Sequence, residues 1–412
     1  MKSICIPCSG PVATGAYLPV IDHPLFQRLR HCRQLGLNDL VFPGAQHTRF
    51  EHALGVLARI RAAAAVQRFT PAEQRLLELF ALLHDIGHGP FSHQVEPILA
   101  GDHHARGLLC LSEMADAIRA CGAETADLQA MLNGEHPLAA WVSDRNLGAD
   151  KLDYLQRDAF HIGFTGLPDL DIIQRHTMRT PEGGLALHEK FIEEGKRLQK
   201  FYSYLHQHGY LNKTALIAQR ILQRALQEEI LASMTDAEQA AVWRMTDFQL
   251  LDRLAHAQSP LARTLVRRLV SRDLPRTCLC VKPTGYAYVE NAVGKPIAVL
   301  EWPRARLAHF SQHALNLGFL RSFEDALART AGLQPGDLVL AAMPYFTKLL
   351  PKDLRIYNGG DRDYWLFDQD KDHRASLESD YLRTFALRIA VPADARERLA
   401  ANPAPLLAAI DG

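Results

Sequence analysis

Two stretches of this chain concentrate side chains that hold metals and move protons: His47-Thr-Arg-Phe-Glu-His52 and Leu83-His84-Asp85-Ile-Gly-His88-Gly-Pro-Phe-Ser-His93. A third, Asp150-Lys-Leu-Asp-Tyr154, adds carboxylates further along. His52, His84, Asp85 and Asp150 offer two imidazoles and two hard carboxylates. Such a set suits a divalent first-row ion with open positions for water or phosphate, and not structural zinc. The chemistry it serves is metal-assisted hydrolysis of a phosphate ester. One histidine alone would read as a hydrogen-bonded residue near a core. The His84-Asp85 pair at a glycine-rich helix end, joined to an Asp-Lys-x-x-Tyr cluster, argues for a centre.

These groups must ride on separate helices. One helix has Thr70 as N-cap, Pro71 at its first position and Glu73 closing a capping box. It runs through Leu76, Leu77, Phe80 and Leu83 and delivers His84 and Asp85 where Gly87 and Gly89-Pro90 break it. Adjacent residues on a regular helix point about 100° apart, so an ion shared by them lies across the helix surface and takes its other ligands from elsewhere. A helix from about 49 to 68 supplies His52, and one over 148–161 supplies Asp150. On the latter, Asp150, Tyr154, Arg157, Asp158 and His161 form a polar stripe expected to face a cleft, while Leu147, Leu152, Leu155 and Phe160 pack. Arg49 and Lys151, beside the presumed ligands, and Lys213 are the candidates for offsetting phosphate charge.

Further helices are expected near 24–36, 104–120, 124–132, 187–207, 211–234 and 235–269, so 1–270 reads as a helical domain. After Pro275 the texture changes to short β-like runs at 279–281, 286–290 and 296–302, a helix near 304–329, and β-like runs at 337–342, 353–357, 364–368 and 382–391. The fold class is mainly α, with a smaller α+β region at 276–412 that is a candidate for contacts between copies. Asp361-Arg-Asp363 and Asp368-Gln-Asp-Lys-Asp372 read as a solvated acidic loop.

Over 412 residues, 48% hydrophobic and 22% charged content fits a globular protein. Lysine plus arginine and aspartate plus glutamate both number 46, so no global field favours a nucleic acid partner. No apolar run reaches membrane-span length, and Met1-Lys-Ser-Ile-Cys lacks a signal peptide's apolar core. Seven cysteines, an odd number, suggest thiols in a reducing compartment, and the expected location is cytoplasmic. Cys5-Ile-Pro-Cys8 and Cys278-Leu-Cys280 could meet around zinc, but ordinary thiols are the simpler reading.

The chain resembles the HD-domain phosphohydrolases, specifically the deoxynucleoside triphosphate triphosphohydrolases of the sterile-alpha-motif/HD-domain type. The resemblance rests on Phe26-Gln-Arg-Leu-Arg30, Gln34-Leu-Gly36, Val41-Phe-Pro-Gly44, Thr48-Arg-Phe-Glu-His52, the 84–93 segment and Asp150-Lys-Leu-Asp-Tyr154. It covers about residues 20–230, and no sterile-alpha-motif domain is expected ahead of Pro24. It implies an HD-type helical core and one divalent ion, Mn²⁺, Fe²⁺ or Zn²⁺, on His52, His84, Asp85 and Asp150, with Mg²⁺ accompanying substrate. His93 is implied to contact phosphate, and His88 to belong to the catalytic network with Asp85. His103 is implied as a further catalytic histidine, although His104 and Gly107 stand where the family has Glu and a small serine-like residue. Gln34, Tyr154 and Asp158 are implied around the sugar 3′-hydroxyl, with Tyr210 against C2′. Asn212 replaces a histidine before Lys213, and His208 is an upstream basic position. The family opens with an Asp-Pro-Ile/Val-His-Gly-like strand and turn, replaced here by Cys5-Ile-Pro-Cys8-Ser-Gly10, which speaks against carrying over nucleotide-controlled assembly.

The expected reaction is hydrolysis of a deoxynucleoside triphosphate to deoxynucleoside and inorganic triphosphate, by a homo-oligomer without a stable nucleic acid or membrane partner. A nucleotide phosphatase or phosphodiesterase on the same metal core would differ in its product. A metal-bound nucleotide sensor would show no turnover.

Overall fold

The computed structural model describes residues 2–291, 296–343, 349–359 and 363–411, so Asp361 of the acidic run lies outside the described residues. Its strands are β1 (Ser3–Ile6), β2 (Gly10–Ala13), β3 (Thr177–Arg179), β4 (Leu185–His188), β5 (Arg276–Pro283), β6 (Ala298–Trp302), β7 (Val339–Ala342), β8 (Arg355–Tyr357), β9 (Asp363–Trp365) and β10 (Leu387–Val391). The chain divides into two compact units that do not follow its order. One comprises Met1–Leu205, Ala240–Phe248 and Pro351–Arg374; the other comprises His206–Gln239, Gln249–Leu350 and Ala375–Gly412. Helices predominate in both the sequence expectation and the structure.

The first unit is built around α1 (Arg49–Ala64), α2 (Pro71–Leu83), α3 (His103–Glu113), α4 (Ala149–Ile162) and α5 (Ile192–Leu205). Thr48 caps α1 by accepting from Glu51 N, and Thr70 and Glu73 form the expected capping box on α2. α4 stops at Gly163, whose φ of 78° suits the left-handed C-terminal position. α1 packs against both α2 and α4. At Gly55 the approach to α4 is so close that a Cβ would fall 2.1 Å from both Arg157 and Asp153 side-chain atoms. Two small sheets complete the unit: the antiparallel β1–β2 hairpin and a sheet ordered β3-β4-β8-β9, in which β4 and β8 are parallel.

The second unit holds α6 (Lys213–Ala232), α7 (Pro260–Val270) and α8 (Leu317–Thr330), with a sheet ordered β6-β5-β10-β7. Leu279, Leu320, Leu327, Leu340 and Ile389 share its apolar core. Inside it Glu324 receives a two-pronged contact from Arg220, each hydrogen bond 2.8 Å.

Several sequence expectations are corrected. The helix expected at 24–36 is only Pro24–Arg28, followed by tight turns, because the chain must extend so that Arg33 bridges to Thr48. The stretch 187–207 begins as a strand, passes through a 3-10 turn at Glu189–Phe191 and becomes α-helical at Ile192, while 235–269 breaks into Asp236–Val242, Asp247–Ala255 and Pro260–Val270, with Ser259 capping the last. A helical turn, Tyr288–Asn291, replaces most of the 286–290 run. Asn316 caps a new helix and splits 304–329 in two. A helix at Leu366–Gln369 takes over the end of the 364–368 run, another at Lys371–Thr384 takes the first three residues of the 382–391 run, and Asp370 pairs with Lys196 at 2.8 Å in place of lying in a solvated loop.

Candidate active site

His52 lies in the first turn of α1, His84 caps the C-terminus of α2, Asp85 follows it, and Asp150 opens α4. The fold brings them together. His52 Nε2 is 3.0 Å from Asp150 Oδ1 and 3.7 Å from Asp85 Oδ2, and His84 Nε2 is 3.7 Å from both oxygens. Ligands about 2.1 Å from one ion stand about 3.0–3.4 Å apart in octahedral or tetrahedral geometry, so these spacings need little change to surround one.

The orientation of each imidazole also fits an ion. Asp153 Oδ2 accepts from His52 Nδ1 at 2.8 Å, and the Ala81 carbonyl accepts from His84 Nδ1 at 2.9 Å. Both Nε2 atoms are thereby left as the inward donors. His84 Nε2 is buried without a hydrogen-bond partner among the described residues, a costly arrangement that an ion would relieve. Burial pulls the His52 pKa down, but its hydrogen bonds to the Asp150 and Asp153 carboxylates outweigh it and raise the pKa to about 10. Burial likewise opposes charge on Asp85 and Asp150. Arg49 and the surrounding imidazoles nevertheless keep Asp85 well below the carboxylate range, and His52 and His84 do the same for Asp150.

A second group adjoins the first. His88 Nδ1 is 3.4 Å from Asp85 Oδ1, and the His88 ring stacks on His103 with centroids 4.1 Å apart. His93 Nε2 lies 3.4 Å from His88 Nε2. Glu96 accepts from His93 Nδ1 at 2.9 Å and from His103 Nδ1 at 2.8 Å, so one carboxylate sets both tautomers. Burial would raise the Glu96 pKa, but the His103 and His93 hydrogen bonds hold it far below its ordinary value. Burial, followed by the nearby Arg49 charge, pushes His88 well below the ordinary imidazole range and leaves it neutral.

Backbone detail explains how these rings meet. Gly87 lies so near the start of α3 that a Cβ would sit 2.1 Å from the His103 carbonyl and 2.3 Å from Gly107 N. At Gly107 a Cβ would in turn fall 2.9 Å from Leu132 Cδ2, so the position is closely packed. Phe91 and Ser92 take left-handed φ values of 55° and 54°. That turn is held by Asp247, which accepts from Phe91 N at 2.7 Å, and by Ser92 Oγ, which accepts from Arg49 Nε at 2.8 Å and donates to the Arg33 carbonyl. Arg49 also contacts Asp85 directly.

The remaining candidates are distributed unevenly. Lys151 is 7% exposed with Nζ 3.2 Å from the Tyr202 ring centroid, and burial lowers its pKa to about 7 against the pull of Asp150 and Asp144. Gln34 N donates to the His47 carbonyl, and its Oε1 is buried without a partner among the described residues. Tyr154 is half-buried, and its ring centroid is 5.5 Å from Lys151 Nζ. The polar stripe of α4 does not present one open face. Arg157 is fully buried against Asp153 and the Pro7 carbonyl, and Asp158 is 2% exposed with Oδ1 2.7 Å from His47 Nε2. Tyr210 and Lys213 belong to the second unit. Tyr210 ends a π-helical turn, and Lys213 opens α6 behind Asn212, whose side chain caps that helix. Burial lowers the His208 pKa, so it supplies little positive charge at neutrality.

Sequence reasoning gave no role to Glu96, Asp153 or His47. The spacing His93-x-x-Glu96 and the Asp150-x-x-Asp153 step were the available signals. Nothing local linked His47 to Asp158. Among the described residues, the clusters able to hold an ion are His52/His84/Asp85 and His88/His93/His103, and neither contains a cysteine.

Residues 49–158, which carry both clusters and their orienting carboxylates, match the family model for the HD domain. The chain carries an HD domain. An uncharacterized protein of Methanocaldococcus jannaschii is 31% identical over 261 residues, which are 62% of this chain and 55% of that protein. The deoxynucleoside triphosphate triphosphohydrolase SAMHD1 homolog of Dictyostelium discoideum is 28% identical over 244 residues, 53% of this chain and 46% of its own. The chain thus spans about half the length of the curated relatives it matches. A phosphohydrolase of Bacteroides thetaiotaomicron has a solved structure that matches 95% of this chain and 100% of its own with a TM-score of 0.69. At 20% identity this is a likeness of fold. The HD domain accounts for α1, α2, α3 and most of α4, and no helix among the described residues is long and apolar enough to cross a membrane.

Proposed function

We propose that this protein is a metal-dependent phosphohydrolase that cleaves deoxynucleoside triphosphates to deoxynucleoside and inorganic triphosphate, working as a cytoplasmic homo-oligomer. The observation that carries the hydrolytic part is the convergence of His52, His84, Asp85 and Asp150 beside two buried basic side chains, Arg49 and Lys151. The substrate part is supported by similarity to a relative named for that reaction.

A divalent ion such as Mn²⁺, Fe²⁺ or Zn²⁺ held by those four residues would polarise phosphate and make water easier to ionise. Arg49 and Lys151 offset charge gathering on phosphate oxygens in an enclosed setting, where such contacts are strong. Arg49 is fixed for this by Ser92 and Asp85. His93 supplies a further phosphate contact. Neutral His88 packs against His103 and positions it, while the ionised Glu96 carboxylate partners an imidazolium at His103 as that ring delivers a proton to the departing 5′-oxygen. Gln34, Tyr154 and Asp158 are assigned to the sugar 3′ side, and Tyr210 and Lys213 to C2′ and phosphate, on the strength of the resemblance.

The test is product-resolved chromatography of nucleoside tri-, di- and monophosphates incubated with protein loaded in turn with Mn²⁺, Fe²⁺, Zn²⁺ and Mg²⁺. Deoxynucleoside and inorganic triphosphate in equal amounts are expected from the deoxy substrates. Orthophosphate release or cleavage of a diester in their place would overturn the assignment.

A further inference from the structure

Apart from the HD centre, the first unit contains a cavity of about 780 Å³ between the β3–β4 turn, the loop before β8 and the loop leading into α4. Its size falls within the range of small-molecule sites. Arg145, Arg179 and Lys352 line it from three separate segments, and all three are exposed. Among the described residues their side chains make no hydrogen bond or ion pair.

The acids of the wall are already engaged. Glu182 binds Arg355 at 2.8 Å. Asp144 Oδ1 accepts from Asn146 N and Leu147 N, and Asp353 Oδ1 accepts from Leu354 N and Phe367 N. These three carboxylates thus spend their hydrogen bonds on Arg355 or on backbone amides, and among the described residues no lining carboxylate, Glu135 included, reaches Arg145, Arg179 or Lys352 within ion-pair distance. Trp365 completes the lining and is 47% exposed. Arg355 Cζ lies 6.0 Å from the Trp365 ring centroid, and close to half of the indole is still open to solvent.

We propose that this cavity binds a small phosphate-bearing molecule with a planar ring, the phosphate held by Arg145, Arg179 and Lys352 and the ring resting on Trp365. The chemistry on both sides matches. Guanidinium pairs take phosphate through parallel charge-assisted hydrogen bonds, and an indole face offers a ring-sized stacking surface that tolerates many heterocycles. The site is independent of the hydrolytic reading, since none of these residues belongs to the HD centre.

Isothermal titration of the metal-loaded full chain with AMP and with inorganic pyrophosphate tests it. AMP is expected to bind saturably and to quench part of the tryptophan fluorescence. The Arg179→Gln/Lys352→Gln variant should lose at least tenfold in AMP affinity while keeping its metal content and thermal midpoint. Trp365→Leu should weaken AMP severalfold and leave pyrophosphate unchanged. Absence of saturable AMP binding, unchanged affinity in the double variant, or equal losses of AMP and pyrophosphate in Trp365→Leu would each overturn the proposal. So would AMP binding that disappears in Arg49→Gln, since it would then belong to the HD centre.

Discussion

Asp153 accepts a hydrogen bond from His52 Nδ1 at 2.8 Å while its other oxygen accepts from Arg157 Nη2 at 2.9 Å. One buried carboxylate thus sets the direction of a candidate metal ligand and neutralises the only charge of a guanidinium buried beneath it. Asp153→Asn should lower metal affinity about 10- to 100-fold, the usual cost of losing such an orienting partner. It should also destabilise the fold by about 3–5 kcal/mol, because Arg157 is left buried without a counter-charge. Metal content by plasma mass spectrometry and urea unfolding of the same sample check both. Normal metal binding in a destabilised variant would separate the two roles and remove the first.

Metal uptake should release protons. In the metal-free protein the His52 pKa is raised to about 10, yet a coordinating imidazole must be neutral. Near neutral pH, binding should therefore expel about one proton per ion. Titrations in buffers of different ionisation enthalpy measure it directly. A heat independent of buffer would contradict the expectation.

The same shift predicts how stability varies with pH in chelator. A folded-state pKa raised from 6.5 to about 10 contributes stability that is fully present below 6.5 and is lost as pH rises through about 10. The thermal midpoint of the metal-free protein should accordingly fall across that window. The metal-loaded protein, with His52 already neutral, should show less of this fall.

His103→Ala should reduce turnover by about 10²–10⁴-fold, the usual contribution of a proton-transfer residue, with metal content unchanged. Glu96→Gln removes the charge that fixes His103 and should reproduce part of that loss while altering the pH profile. An unaltered profile with lower turnover would make Glu96 a packing residue only.

Gly55→Ala tests the α1–α4 contact. The new Cβ would lie 2.1 Å from both Arg157 and Asp153 atoms, and overpacking of this kind costs about 1–3 kcal/mol. Denaturant unfolding should show the loss, with some decline in metal affinity as Asp153 shifts. Full stability would mean that the two helices can part without cost.

Local rules were enough to locate the candidate ligands and the ends of the helices that bear them. Thr70, Pro71 and Glu73 start α2 because capping is decided by neighbours in sequence, and the glycines after Asp85 end it for the same kind of reason. Thr48 and Gly163 are equally local signals for α1 and α4. The 24–36 segment failed because a bridge from Arg33 to Thr48 outweighs helical periodicity, and 187–207 failed because β4 pairs with β3 and β8.

What only the tertiary structure decided is which groups share space. Glu96 lies on a separate turn from His103, and their hydrogen bond exists because Gly87 lets α3 approach the loop after α2. The α4 stripe looked like an open polar face, but helical spacing says only that residues share a side. Burial of Arg157 under the Pro7 carbonyl and of Asp158 under His47 depends on segments 150 and 111 positions away in the chain. Periodicity carries no information about such partners; close packing of buried polar groups, each requiring a hydrogen bond, does.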